Sequence, residues 1–139
     1  MIKQIIMNNI ISVLIHTGFC LLSYFLFYIL GRYVNSIITF VIYVFSAVAI
    51  PLLYFLCGRL LLVTTQNVPY NIYSVAALSV ILTVCMFVSW NIPNLFITNA
   101  SFYPFSLFLG FLPSFIGTLV LALLPSATFY IGLITQNTI

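Results

Sequence analysis

Polar and apolar positions along this chain fall into long blocks, not short periods. Apolar runs cover residues 10–30, 34–56, 72–90 and 105–134, with polar or helix-breaking clusters between them. A hydrocarbon layer of about 30 Å is crossed by roughly 20 apolar residues rising about 1.5 Å each, and each run reaches that length. Strands are disfavoured because open sheet edges cannot exist in lipid, and the runs lack the two-residue alternation of barrel strands. The pattern therefore predicts an all-α fold, an integral membrane bundle of four transmembrane helices with short connectors, in one domain over 1–139.

The connectors are short. Gly31, Arg32 and Tyr33 separate the first two runs so tightly that a helical hairpin is expected. Residues 58–69, with Arg59, Thr64, Thr65, Gln66 and Asn67, form the clearest polar connector. Residues 91–104 form another, where Pro93, Asn94, Asn99 and Pro104 stop any helix. The last run is too long for one crossing, since its helix would measure about 45 Å. Pro113 and Pro125 interrupt it, and each removes the amide that would meet the carbonyl four residues back, at Leu109 and Leu121. The expectation is a broken or kinked segment, with 105–112 interfacial or re-entrant and 110–134 carrying the span. Pro51 frees the carbonyl of Ala47 in the second run by the same logic.

Composition strengthens this picture and removes most chemistry. The chain has no Asp or Glu, and only 2% of its residues are charged against 65% hydrophobic. A water-soluble fold normally carries about a quarter charged residues. Most of the surface is thus expected to face acyl chains. The absent carboxylates remove the commonest acid–base pairs, hard-metal ligands and membrane proton relays. No phosphate-cradling glycine loop, HExxH or Lys/Arg cluster occurs, so a catalytic site, a metal site, a cofactor site, nucleic-acid binding and a basic patch for anionic lipid headgroups are not expected. Cys20, Cys57 and Cys85 are an odd set without a C-x-x-C spacing, which suits apolar packing better than a disulfide framework. No small-x-small cleavage site follows the first run, so it is expected to be a retained span and not a signal peptide. Orientation rests on three cations. With both termini inside, Lys3, the terminal amine and Arg59 lie on the cytoplasmic side and Arg32 outside, as the positive-inside rule favours. The expected location is the plasma or inner membrane.

The remaining polar residues lie on stripes. On the first helix Ser12, His16, Cys20 and Ser23 are spaced four, four and three apart, so they share one face. His16 has no carboxylate to hold its cation, and desolvation favours a neutral imidazole that donates and accepts hydrogen bonds. Ser36, Thr39, Tyr43 and Ser46 repeat the pattern on the second helix, and Ala76, Ser79 and Thr83 on the third. In the last run Ser106, Gly110, Ser114, Thr118, Ala122 and Ser126 recur at every fourth position, a small-residue ridge of the kind that lets helix backbones approach. Asn99 fits the glycosylation acceptor pattern in the predicted outer loop.

Two functions compete. One is a non-enzymatic membrane subunit that packs through these small and hydroxyl-bearing faces against other membrane chains or copies of itself. The other is a small channel, carrier or lipid-handling protein, with a neutral transport pathway lined by His16 and the Ser/Thr stripes. A pathway requires those side chains to converge on one wet cavity; packing seams require only that they pair locally.

Overall fold

A computed structural model of the chain describes residues 1–33, 36–64, 68–91 and 115–138. Within them the fold is all-helical, and no strand occurs among the described residues. The described residues form five helices, α1 (Ile2–Tyr33), α2 (Ser36–Leu61), α3 (Val68–Tyr73), α4 (Ala76–Asn91) and α5 (Phe115–Ile134), with a 3-10 turn at Thr135–Thr138.

Several boundaries differ from the sequence expectation, each for a local reason. Helix α1 starts at Ile2, because the amides of Gln4 and Ile5 both reach the Met1 carbonyl, at 3.0 and 3.1 Å. Polar residues near the start of the helix are compatible with it when their side chains find partners, as those of Gln4, Asn8 and Asn9 do. Gly31, Arg32 and Tyr33 complete α1 instead of separating two helices. Gly58 and Arg59 belong to the last turn of α2, so the second connector begins only at Leu62. Pro69 does not lie in a connector either. It is the second residue of α3, where a missing amide costs nothing because the first turn has no carbonyl to offer it. The third apolar run is not one helix. Ser74 and Val75 form a turn between α3 and α4, in which the Ser74 amide is shared between the Tyr70 and Asn71 carbonyls, each at 3.2 Å. Helix α5 runs through Pro125 without ending there. Pro113 and residues 105–112 lie outside the described residues.

Side-chain contacts give the helix directions. Gln4 meets Thr64, Asn8 meets Val63 and His16 meets Tyr54, so α1 and α2 are antiparallel. Tyr54 meets Phe129, and Gln136 meets Leu62, so α2 and α5 are parallel. Asn9 of α1 meets Ala77, which puts the start of α4 at the same end as the start of α1. The start of α1, the end of α2 and the turn after α5 therefore share one end of the bundle.

Helices α2 and α5 cross in close backbone contact. A Cβ built on Gly58 would lie 3.0 Å from the Phe129 Cα and collide with the Phe129 carbonyl oxygen. One built on Gly132 would lie 2.9 Å from the Arg59 nitrogen and collide with the Phe55 carbonyl oxygen. Glycine at both positions lets backbone touch backbone, the arrangement that gives helices dispersion contact without a hydrophobic driving force. Around it lies a core of Tyr54, Leu62, Leu78, Leu82, Met86, Ala122, Phe129 and Leu133. The Tyr54 ring is held edge-on by Phe19 of α1 at 4.8 Å and by Phe129 of α5 at 5.0 Å, favourable aromatic geometries.

Candidate functional site, a buried polar seam

Helix α1 is inverted relative to a soluble amphipathic helix. Asn8, Ser12, His16 and Ser23 are buried, while Ile6, Ile10, Leu14, Leu21 and Phe25 are exposed, Leu14 to 65%. The polar stripe faces the other helices. Its members do not share one task.

Two asparagines serve chain ends. The Asn8 side chain pairs with Val63 on both sides: Nδ2 donates to the carbonyl at 2.8 Å and Oδ1 accepts from the amide at 3.1 Å. Asn9 spans the break between α3 and α4. Its Nδ2 donates to the Tyr73 carbonyl at 2.7 Å, and its Oδ1 accepts from the Ala77 amide at 2.9 Å. Helix ends leave backbone groups without intrahelical partners, and in an apolar setting each such group is costly. Gln4 extends the set by donating to the Thr64 carbonyl at 3.1 Å. From the far end of the chain, Gln136 Nε2 caps α2. It donates to the carbonyls of Gly58, Arg59 and Leu62 at 3.2, 2.6 and 2.6 Å.

Deeper in the bundle, His16 Nδ1 lies 2.7 Å from the Tyr54 hydroxyl oxygen and Nε2 lies 3.3 Å from Cys20 Sγ. A neutral imidazole offers one donor and one acceptor, and the hydroxyl and the thiol can each play either role, so both contacts are satisfied without any counter-charge. Tyr54 is fully buried, and His16 is its polar contact from α1. The seam thus chains α1 to α2 through a histidine–tyrosine pair at mid-height and asparagine caps below it.

Of the other predicted residues, Cys20 joins it through His16, and Ser12 and Thr83 bond within their own helices. The Ser12 hydroxyl donates to the Asn9 carbonyl at 3.0 Å, inside its own helix. Thr83 likewise donates to the Ser79 carbonyl at 2.7 Å on α4. Cys20 is half-buried against His16, and Ser23 is buried one turn further along α1. Ala122 and Ser126 are both buried on α5, and Ser126 Oγ has no hydrogen-bond partner. Ser79 and Ser126 meet across an open, almost wholly apolar groove of about 480 Å³ between α4 and α5, bordered by Ala76, Val80, Leu123 and Ala127. Thr39, Tyr43 and Ser46 belong to α2 and Thr118 to α5, with side chains outside the description. Gly110, Ser114 and Asn99 lie outside the described residues. Among the described residues, no three His, Cys, Asp or Glu side chains gather as a metal site would require.

The sequence pattern did not mark Gln4, Asn8, Asn9, Tyr54, Gln136 or the close backbone approaches at Gly58 and Gly132. A signal existed for Asn8, which lies four residues before Ser12 and extends the stripe unchanged. Tyr54 sits among apolar neighbours with no polar periodicity to mark it, and Gln136 follows the last helix, where a polar residue looks like ordinary tail. No known protein family, curated protein or solved structure matches this chain.

Proposed function

We propose that the chain is an integral membrane protein of four spans, its termini on the cytoplasmic side of a plasma or inner membrane, acting as a non-enzymatic subunit that packs against other membrane chains or against copies of itself. One observation carries this reading: buried polar groups and exposed large apolar side chains are distributed inside-out across the bundle. Leu14, Leu21, Val48, Leu52, Val80, Val84 and Leu123 are all exposed, whereas Asn8, Ser12, His16, Asn71 and Ser74 are buried. In water so much exposed apolar surface would aggregate, and in acyl chains it is solvated.

Length and composition support one crossing directly. The stretch Ile2–Phe25 of α1 is long and apolar enough to span by itself, while Val48–Leu61, Ala76–Val88 and Ala122–Ile134 are shorter apolar stretches. At about 1.5 Å per residue, α2 and α5 measure about 39 and 30 Å, and α4 about 24 Å. The short α3, joined to α4 through the Asn9-bridged turn, makes up the remainder. Such a broken helix is acceptable in lipid where protein groups satisfy its freed backbone, which Asn9 does.

The subunit reading is preferred over a pathway because Ser12 and Thr83 bond carbonyls of their own helices, and Tyr54, the partner of His16, is packed edge-on between the Phe19 and Phe129 rings. What the outer surface offers a neighbour is apolar contact, including the α4–α5 groove. The test is the mass of the purified protein in a mild detergent, together with identification of what co-purifies. A homo-oligomer or a stoichiometric membrane partner is expected. A strict 15.6 kDa monomer with no companion chain, combined with proteoliposome flux that His16→Ala abolishes, would replace the subunit by the pathway.

A further inference from the structure

No side chain of this chain can serve its cations as a counter-charge, since it contains no Asp or Glu. Two of its three Lys/Arg residues, Lys3 and Arg59, are brought to the same end of the bundle. Lys3 adjoins Gln4, which donates to Thr64, and Arg59 lies in the last turn of α2 just before that segment. A basic residue in a helix's last turn commonly serves the carbonyls left open there. Here Gln136 already donates to the carbonyls of Gly58, Arg59 and Leu62, while Asn8 and Gln4 donate to those of Val63 and Thr64. The Gly58 and Arg59 carbonyls are thus already served by Gln136, and neither the Arg59 guanidinium nor the Lys3 ammonium has a hydrogen bond or ion pair among the described residues. Arg32 stands at the opposite end of α1, about 44 Å from Lys3 along the helix axis.

We propose that this end of the bundle is a binding surface for anionic phospholipid headgroups, with Lys3 and Arg59 supplying the charge and the amide-capped ends of α1 and α2 holding them together. The inference rests on the membrane reading above and adds the partner's chemistry. Cations at the boundary of an apolar bundle attract a negatively charged leaflet, each contributing about a fivefold preference. A neutral headgroup also carries a phosphate, but its choline cancels the charge, so selection falls on lipids with net negative charge.

The test uses the full chain in neutral detergent, exposed in parallel to phosphatidylglycerol and phosphatidylcholine at equal concentration, with retained lipid counted by native mass spectrometry. The wild type is expected to retain phosphatidylglycerol at least tenfold over phosphatidylcholine. The variant Lys3→Gln/Arg59→Gln should bring that ratio near one, and Arg32→Gln should leave it unchanged. Equal retention of the two lipids by the wild type overturns the proposal, as does an Arg32→Gln loss as large as that of the double variant. Inorganic phosphate at the same concentration should not displace the lipid; full displacement would mean a free-anion site and would also overturn it. Failure of the membrane reading looks different: the chain would stay dispersed in detergent-free buffer and take up neither lipid.

Discussion

At the residue scale, the bundle depends on a few side chains whose polarity is consumed internally. His16 and Tyr54 are the clearest pair. In lipid, an interhelical hydrogen bond contributes about 0.6 kcal/mol on average and rarely beyond about 1.7. A double-mutant cycle with His16→Ala and Tyr54→Phe, read by denaturant titration in micelles, should give a coupling of about that size. Strictly additive losses would show that the 2.7 Å contact does not stabilise the fold. The glycines give a sharper contrast. Overpacking costs about 1–3 kcal/mol, more when backbone must move. Gly58→Ala and Gly132→Ala should each cost at least that much, because the new methyl meets carbonyl oxygens of the facing helix. Gly18→Ala, where nothing lies within 4 Å of the added carbon, should be neutral or stabilising in the same titration. Equal effects at all three sites would contradict the backbone-to-backbone crossing.

At the element scale, the helices end where side-chain amides can take over the backbone's hydrogen bonds. The break at Ser74–Val75 is the best case, since Asn9 bonds both the last carbonyl before it and an amide after it. Replacing Asn9 by Leu keeps the branched shape but leaves both groups bare, at a cost of about 1–3 kcal/mol each. Amide hydrogen exchange should then accelerate at Ala77 and stay unchanged at Val63, which Asn8 serves. Asn8→Leu should give the reverse pattern. The four apolar blocks and their helical character were legible in the sequence, because block length is set by one-dimensional composition. The ends were not. Whether Gly58 opens a connector or closes a helix depends on Gln136, some 78 positions away, and no local pattern carries that information. The third block reads as one helix for the same reason: the residue that permits its interruption lies on α1. The polar stripe of Ser12, His16, Cys20 and Ser23 was visible as a periodicity, but its partners belong to tertiary structure.

At the scale of the whole molecule, α1 rises, α2 descends, α4 rises and α5 descends, with residues 1–8 and 135–138 at one end. An even number of crossings follows for any membrane placement that keeps this order. Cysteine variants at Gln4 and Asn137, probed with an impermeant maleimide in sealed right-side-out vesicles, should both be protected, and Leu61→Cys should behave like them. Labelling of only one of the two terminal positions would break the up-down order. On the proposed reading, what sets this fold apart from a soluble helical bundle is the solvent around its surface. That is tested most directly by nitroxide labels at the exposed positions Leu14, Leu21, Val80 and Leu123 in reconstituted vesicles, with collision rates measured for oxygen and for a water-soluble nickel chelate. High oxygen accessibility with little nickel accessibility at all four positions is the predicted result. Strong nickel collisions at those positions would place the apolar face in water and contradict the membrane bundle.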